Sequence, residues 1–234
     1  MKNRIEYCTK CVMPSSSAIS VEFDENGVCS GCNVSSQKVD IDWGRRKKQF
    51  QRLLDQYRNH DNNNYDCIIP VSGGKDSYFQ VHMIKNVFNM NPLLVTYNAN
   101  NWTKTGYENL HNMRDAFGCD HVFFTPSIDL LKRMNRIGFQ VMGDMNWHGH
   151  SGIYTYPFIA AVEKKVPLVI YGEHGFMDLG GMHSYNDHVE FTQRYRLEHC
   201  LRGYDWNDFL GRDGRDEIKE NELLGFKFPS DKNI

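Results

Sequence analysis

The chain has 234 residues, 40% hydrophobic and 24% charged, with 27 Lys and Arg against 29 Asp and Glu for a formal net charge of −2. That length supports one sizeable α/β core with a small appendage, and the near-neutral balance gives no broad electrostatic grip on a nucleic-acid backbone. No apolar run is long enough to cross a bilayer and the opening MKNRIEYCTK has no apolar signal region, so a cytoplasmic protein with no membrane partner is expected.

Four of the seven cysteines lie within the first 32 residues, as Cys8-Thr-Lys-Cys11 and Cys29-Ser-Gly-Cys32. An odd cysteine count without an export signal points to metal or thiol chemistry rather than a disulfide framework. The intervening SAISVEFDENGV reads as a strand entering a turn. Two such knuckles supply the four thiolates of a tetrahedral site, and a structural zinc ribbon is predicted over residues 1–40. Redox chemistry at either pair and an iron–sulfur cluster are the alternatives. So small a piece cannot fold on apolar burial alone, so the metal would supply its stability.

Residues 41–64 read as a connecting helix and linker. Trp43, Phe50, Leu53, Leu54 and Tyr57 recur near one helical face, while Arg45, Arg46, Lys47 and Lys48 suit the solvated face better than a nucleic-acid patch. Asp61-Asn62-Asn63-Asn64 ends the helix.

The stretch CIIPVSGGKDSY follows, at 67–78. Cys67, Ile68, Ile69 and Val71 form a short apolar run suited to the middle of a parallel sheet. Ser72, Gly73 and Gly74 allow backbone N–H groups to approach an anion, and Asp76 and Ser77 open a helix with Val81, Ile84 and Phe88 at helical spacing. The positive end of that helix points at whatever the loop holds, and phosphate is the natural guest. An ordinary Gly-Gly turn is the plain alternative. A Walker A loop is excluded, because GxxxxGK[ST] would need glycine where Ile69 stands and Ser or Thr where Asp76 stands.

The SGGKDS hexapeptide resembles the SGGxDS signature of the PP-loop ATP pyrophosphatases. The resemblance implies that Ser72, Gly73, Gly74, Lys75, Asp76 and Ser77 grip the pyrophosphate end of ATP and that the enzyme adenylates an oxygen of its substrate. Lys75 would neutralise phosphate charge and Asp76 would hold magnesium on the leaving pyrophosphate.

Downstream, residues 92–97 read as a second buried strand. Thr105 to Glu108 has capping-box spacing for a helix carrying Leu110, Met113 and Phe117 that Gly118 stops. Residues 121–125 read as a third strand, and Ser127 caps a helix with Leu130, Met134, Ile137 and Val141 inward. GDMNWHGHSG is expected as a loop, YPFIAAVEKK as a helix, and PLVIYGEHG as a fourth strand. Strands alternating with helices imply a parallel sheet.

The expected fold class is therefore α/β: a parallel-sheet PP-loop (adenine nucleotide alpha hydrolase-like) domain over 65–200, with a small N-terminal zinc ribbon and a C-terminal segment over 201–234. The resemblance implies that strands two and three lie to one side of strand one and strand four to the other, which brings the 72–77 loop and Gly172-Glu173-His174 to one crevice. Glu173 becomes a second candidate magnesium ligand, although a glutamate at a strand end is often simply solvated. Gly172 and Asn98 are candidates for seating ATP; Asn98 is equally an ordinary turn residue. His148, His150 and His174 are candidate substrate contacts, weighed against satisfied loop histidines.

Together the two CxxC knuckles, the CVMP that begins at Cys11, the VSGGKDS loop, YGEHGFMDLGG and RGYDWNDFLG resemble the N-acetyl sugar amidotransferases of bacterial surface polysaccharide (LPS O-antigen) and nonulosonic acid biosynthesis. The likeness runs from about Tyr7 to Pro229. It departs at FKFPSDKNI, where family chains continue, which implies a form shortened relative to the family. The implied reaction turns the acetamido group of a nucleotide-linked or free N-acetyl sugar into an acetamidino group, with ATP and magnesium consumed and structural zinc retained. None of the cysteines sits in a recognisable glutaminase setting, so a separate glutaminase subunit is expected to supply ammonia. The rivals are a PP-loop tRNA thiolase and a non-catalytic ATP-binding zinc protein. The thiolase is disfavoured because only Cys119 and Cys200 follow the loop and no strongly basic domain is present.

Overall fold

The computed structural model describes residues 5–16, 21–99, 102–172, 180–187, 190–211 and 217–230. These fall into two compact units, one drawn from Met1–Gln51 and Glu173–Glu190, the other from Arg52–Gly172 and Phe191–Ile234. A helix, α2 (Trp43–Gln56), carries the chain from the first unit into the second.

In the first unit, short antiparallel bridges join Tyr7 to Pro14 and Phe23 to Cys29. Asp24 closes the turn between knuckles, its Oδ1 accepting the N–H groups of Asn26 and Val28, both at 2.9 Å. Gly27 takes the left-handed conformation this turn needs (φ 70°), and its carbonyl accepts the Thr9 N–H at 3.0 Å. Cys29 then caps α1 (Ser30–Ser36) by accepting the Cys32 N–H.

The second unit is built on a parallel sheet of β1 (Cys67–Pro70), β2 (Pro92–Tyr97) and β3 (His121–Phe124), in the order β1-β2-β3. On the other side of β1, Ile68 bridges in parallel to Val169, exchanging hydrogen bonds with Leu168 and Ile170 at 2.8 and 2.9 Å. The expected fourth strand is thus a single bridge among the described residues, on the expected side; its end, Glu173 to Gly175, lies outside them.

Side chains alternate across this sheet. Phe123 stacks on His111 of α4 (Lys104–Phe117), while its neighbour Phe124 stacks on Tyr156 of α6 (Trp147–Lys164). Ile68, Leu93 and Val95 likewise meet Ala160, Ala161 and Val166 at the α6 face. One helix of each layer therefore covers each face. The expected helix boundaries are present: Gly118 ends α4 at φ 56°, and Ser127 caps the start of α5 (Ile128–Met142) by accepting the Leu130 N–H. The α4 cap is Thr103, which accepts from Gly106, not Thr105.

Two local expectations are corrected. The helix after the loop, α3 (Lys75–Val81), starts at Lys75 with Gly74 as its cap and continues as a π-helical turn over His82–Val87. The wider turn, closed by the Phe88 N–H to the Met83 carbonyl, still buries Val81, Ile84 and Phe88. Within GDMNWHGHSG, residues 143–146 are a turn as expected, but residues 147–152 are the first turns of α6. Its glycines signal a loop in sequence, yet Gly152 is there because a Cβ would lie 2.3 Å from the Tyr97 ring. The C-terminal segment is part of the core: Leu201, Phe209, Ile218, Leu223 and Phe226 bury with Tyr97 and Trp147.

Pro157 stands inside α6 and has no N–H for the carbonyl of Ile153. The Tyr171 hydroxyl donates to that carbonyl instead, at 3.1 Å.

Candidate functional site

The loop at the carboxyl end of β1 is held from both sides. Val71 donates to the Val95 carbonyl at 2.9 Å and accepts the Thr96 hydroxyl at 2.7 Å, so the strand cannot fray where the loop begins. Gly73 (φ 71°) lies so close to α4 that a Cβ would be 2.8 Å from Leu110 Cα. Ser72 donates its N–H to Ser77 Oγ at 3.0 Å, and the two hydroxyls are 3.2 Å apart.

Ser72, Gly74, Lys75 and Asp76 face solvent, while Gly73 and Ser77 are buried. The first-turn N–H groups of α3 have no acceptors within the helix, so the loop offers hydroxyl and backbone donors on one turn. Lys75 Nζ meets Asp76 Oδ1 at 2.7 Å with both side chains exposed (88% and 74%). An ion pair so open contributes little stability, leaving both groups available to a phosphate and its cation. The Asp76 carboxylate suits magnesium, which binds through one or two carboxylates plus substrate phosphates.

Around the loop the structure separates the other candidates. Gly172 packs against Gln80 of α3, whose amide donates to the Ile170 carbonyl, so this end of the chain reaches the loop's helix. Asn98 follows β2 on the same edge but is engaged structurally, donating to Thr125 Oγ1 at 3.1 Å and accepting from Trp102 Nε1 at 2.6 Å. Glu173 and His174 lie outside the described residues.

His148 and His150 stand in the first turn of α6. His148 is buried, its Nδ1 2.8 Å from the Tyr97 hydroxyl, and with the Asn135 amide nitrogen turned inward its Nε2 accepts at 3.1 Å. Burial lowers both imidazoles below their ordinary range. His150 Nε2 meets the Arg202 guanidinium at 3.2 Å, and Arg202 also pairs with Asp144 at 2.9 Å. Asp144, Arg202 and Tyr97 were not among the sequence candidates. They come from three separate elements, and only the density of Asp, His and Gly in GDMNWHGHSG hinted at a built corner.

In the first unit the Sγ atoms of Cys8, Cys11, Cys29 and Cys32 all lie within 4.8 Å of one another. The Cys8–Cys32 and Cys11–Cys29 separations are 3.9 and 3.6 Å. A tetrahedron with Zn–S bonds of about 2.3 Å has sulfur edges of about 3.8 Å, so the shell fits one zinc ion at its centre. Backbone N–H groups of Lys10 and Cys29 donate to Cys8 Sγ, both at 3.3 Å. Burial works against the Cys8 thiolate, but backbone donors outweigh it and bring that thiol down to about 6. Cys32 is pushed up to about 12, first by its hydrogen bond with Cys11. A divalent cation would draw off the remaining protons.

The three other cysteines are buried. Burial pushes Cys67 up to about 12 and Cys200 up to about 11, and raises Cys119.

No family model matches the chain. It is 26% identical over 113 residues to an uncharacterized protein of Methanocaldococcus jannaschii, a match spanning 48% of this chain and 40% of that protein. Among solved structures it is similar to an NH3-dependent NAD synthetase from Campylobacter jejuni (12% identity, TM-score 0.46, 72% of this chain and 81% of that one). It is also similar to a U34-tRNA thiolase from Methanococcus maripaludis that carries a [4Fe-4S] cluster (16% identity, TM-score 0.39, 94% and 70%). Likenesses this distant fix no activity for this chain.

No helix among the described residues is long and apolar enough to cross a membrane.

Proposed function

We propose that the chain is an ATP-dependent amidotransferase that converts the acetamido group of an N-acetyl sugar into an acetamidino group, releasing AMP and pyrophosphate. The exposed donors of the 72–77 loop support ATP use, and the choice of an N-acetyl sugar follows the sequence resemblance. The observation that favours nitrogen over sulfur transfer is the state of the thiols. Cys67, Cys119 and Cys200 are buried and held protonated, so none is a ready carrier of sulfur or a nucleophile for glutamine hydrolysis.

An amide is a poor electrophile and its oxygen a poor leaving group. Attack of the acetamido oxygen on the α-phosphorus forms an O–P bond and expels pyrophosphate. Ser72, the first-turn N–H groups of α3 and Lys75 stabilise the departing charge, and Asp76 would hold magnesium, which neutralises phosphate charge when bound. Ammonia then adds to the activated carbon and AMP departs with the original oxygen. In this reading the four-cysteine shell holds structural zinc, and a separate glutaminase subunit supplies the ammonia.

The test is a screen of UDP- and CMP-linked and free N-acetyl sugars with ATP, magnesium and ammonium, read by mass spectrometry for replacement of O by NH. Product with ammonium but not with glutamine is expected from the chain alone. Asp76→Asn should lower pyrophosphate release by about 100-fold or more, while Cys119→Ser and Cys200→Ser stay active. Loss of activity in either cysteine variant, or sulfur incorporation into tRNA, would replace this reading with the thiolase.

A further inference from the structure

We propose that the corner where Asp144, His150 and Arg202 meet recognises an anionic group on the acceptor, so that the sugar taken up carries a phosphate or a carboxylate. This rests on the amidotransferase reading above.

The corner stands near the carboxyl end of β2. Tyr97 is the last residue of β2, the strand that pairs with β1 before the 72–77 loop, and its hydroxyl is 2.8 Å from His148 at the start of α6. Ligands of open α/β sheets bind outside the carboxyl ends of the strands, so a group held two residues along α6 lies on the expected approach of the acceptor.

Its geometry is that of an aimed arginine. Asp144 is the anchor: its side chain is only 13% exposed, Oδ1 accepts the Asn146 N–H at 2.7 Å, and Oδ2 meets Arg202 at 2.9 Å. A second guanidinium nitrogen meets His150 Nε2 at 3.2 Å. The Arg202 side chain stays 54% exposed. A guanidinium has five N–H donors in a fixed plane; Arg202 gives one to His150, is held beside the Asp144 carboxylate by charge, and keeps further donors for the two oxygens of a carboxylate or phosphate.

The backbone around it is costly in ways an ordinary surface ion pair does not require. Arg202 adopts φ 59°, a conformation in which glycine or asparagine is the usual residue, immediately before Gly203 at φ 81°. The turn is fixed by the Gly203 N–H on the Leu197 carbonyl at 2.7 Å and by the Trp147 indole on the Leu201 carbonyl at 2.9 Å. On the other side, a Cβ at Gly138 would lie 2.4 Å from the Asp144 carbonyl, and one at Gly149 2.7 Å from Asn146 Oδ1. Strain and close backing of this kind serve to hold a side chain in one place.

The experiment measures affinity by titration calorimetry for UDP-N-acetylglucosamine, N-acetylneuraminate and neutral N-acetylglucosamine, with a non-hydrolysable ATP analogue as control. Arg202→Gln should weaken a charged sugar by about 10- to 100-fold and leave the neutral sugar and the ATP analogue unchanged; Arg202→Lys should recover part of the loss. A loss confined to the UDP-sugar identifies the phosphate, and one confined to N-acetylneuraminate the carboxylate. Unchanged affinities, an equal loss for every ligand, no recovery in the lysine variant, or no binding of either charged sugar by the native chain overturns the proposal. Amidine formation with unaltered KM in Arg202→Gln defeats this inference alone, whereas tight Arg202-dependent binding without amidine formation defeats only the reaction.

Discussion

Ser77 Oγ accepts the backbone N–H of Ser72 at 3.0 Å, so the last residue of the SGGKDS loop braces the first. The two serines read alike in sequence, but Ser77 is buried and Ser72 exposed. Ser77→Ala should therefore cost about 1 kcal/mol of stability, the worth of a typical buried hydrogen bond. Ser72→Ala should leave stability within about 0.5 kcal/mol and act on pyrophosphate release instead. Urea denaturation and a pyrophosphate assay on both variants separate brace from donor, and equal behaviour would contradict the assignment.

The adjacent glycines also divide. Gly73 has φ 71° and a Cβ there would strike the Leu110 backbone at 2.8 Å, whereas at Gly74 the nearest atom is Ser72 Oγ at 3.5 Å. Gly73→Ala should lose roughly 2–4 kcal/mol, from the left-handed conformation plus overpacking. Gly74→Ala should stay within about 1 kcal/mol. Thermal melts of the pair check this, and a stable Gly73→Ala protein would mean that the loop does not sit on α4.

Metal analysis of the purified protein should return one zinc per chain, because the four-sulfur shell closes at tetrahedral edges. Chelation or Cys29→Ser should expose the first unit to proteolysis before the second. Full iron occupancy with visible charge-transfer absorption, or unchanged protease resistance after metal removal, would count against a structural zinc site.

Acid should weaken the second unit in a defined window. Burial, then the nearby charges of His111 and Arg114, push His121 down to about 4. Its unfolded value is about 6.5, so between those two values the unfolded chain binds the extra proton, and stability falls as pH drops through the window and levels off below it. His148 and His150 are lowered too and act in the same direction. His121→Gln should flatten, without abolishing, the decline of the urea midpoint between about pH 6.5 and pH 4; an unaltered slope would assign the whole effect elsewhere.

The sheet was legible because its strands announce themselves locally. Residues 92–97 are apolar except for Thr96, and the caps Ser127 and Gly118 act through neighbours within four residues. The start of α6 was not. Its glycines oppose helix formation on intrinsic propensity, and only the Tyr97 ring, more than fifty residues earlier, explains why one is needed there. The loop and the cysteine shell were legible for the same reason as the strands, since each is written in one or two short segments. The Asp144–His150–Arg202 corner joins residues that no sequence period connects.

Pro157 and Tyr171 behave as one substitution rather than two. With proline at 157, the hydroxyl at 171 is the partner of the Ile153 carbonyl; with alanine at 157, the helix itself can supply that donor and the hydroxyl loses its purpose there. Tyr171→Phe alone leaves the carbonyl without this donor, but the same change made on a Pro157→Ala background does not, so the double-mutant cycle is non-additive. Once the proline is gone the hydroxyl at 171 has no remaining task at that carbonyl, so the change to phenylalanine costs less on that background than on the native one.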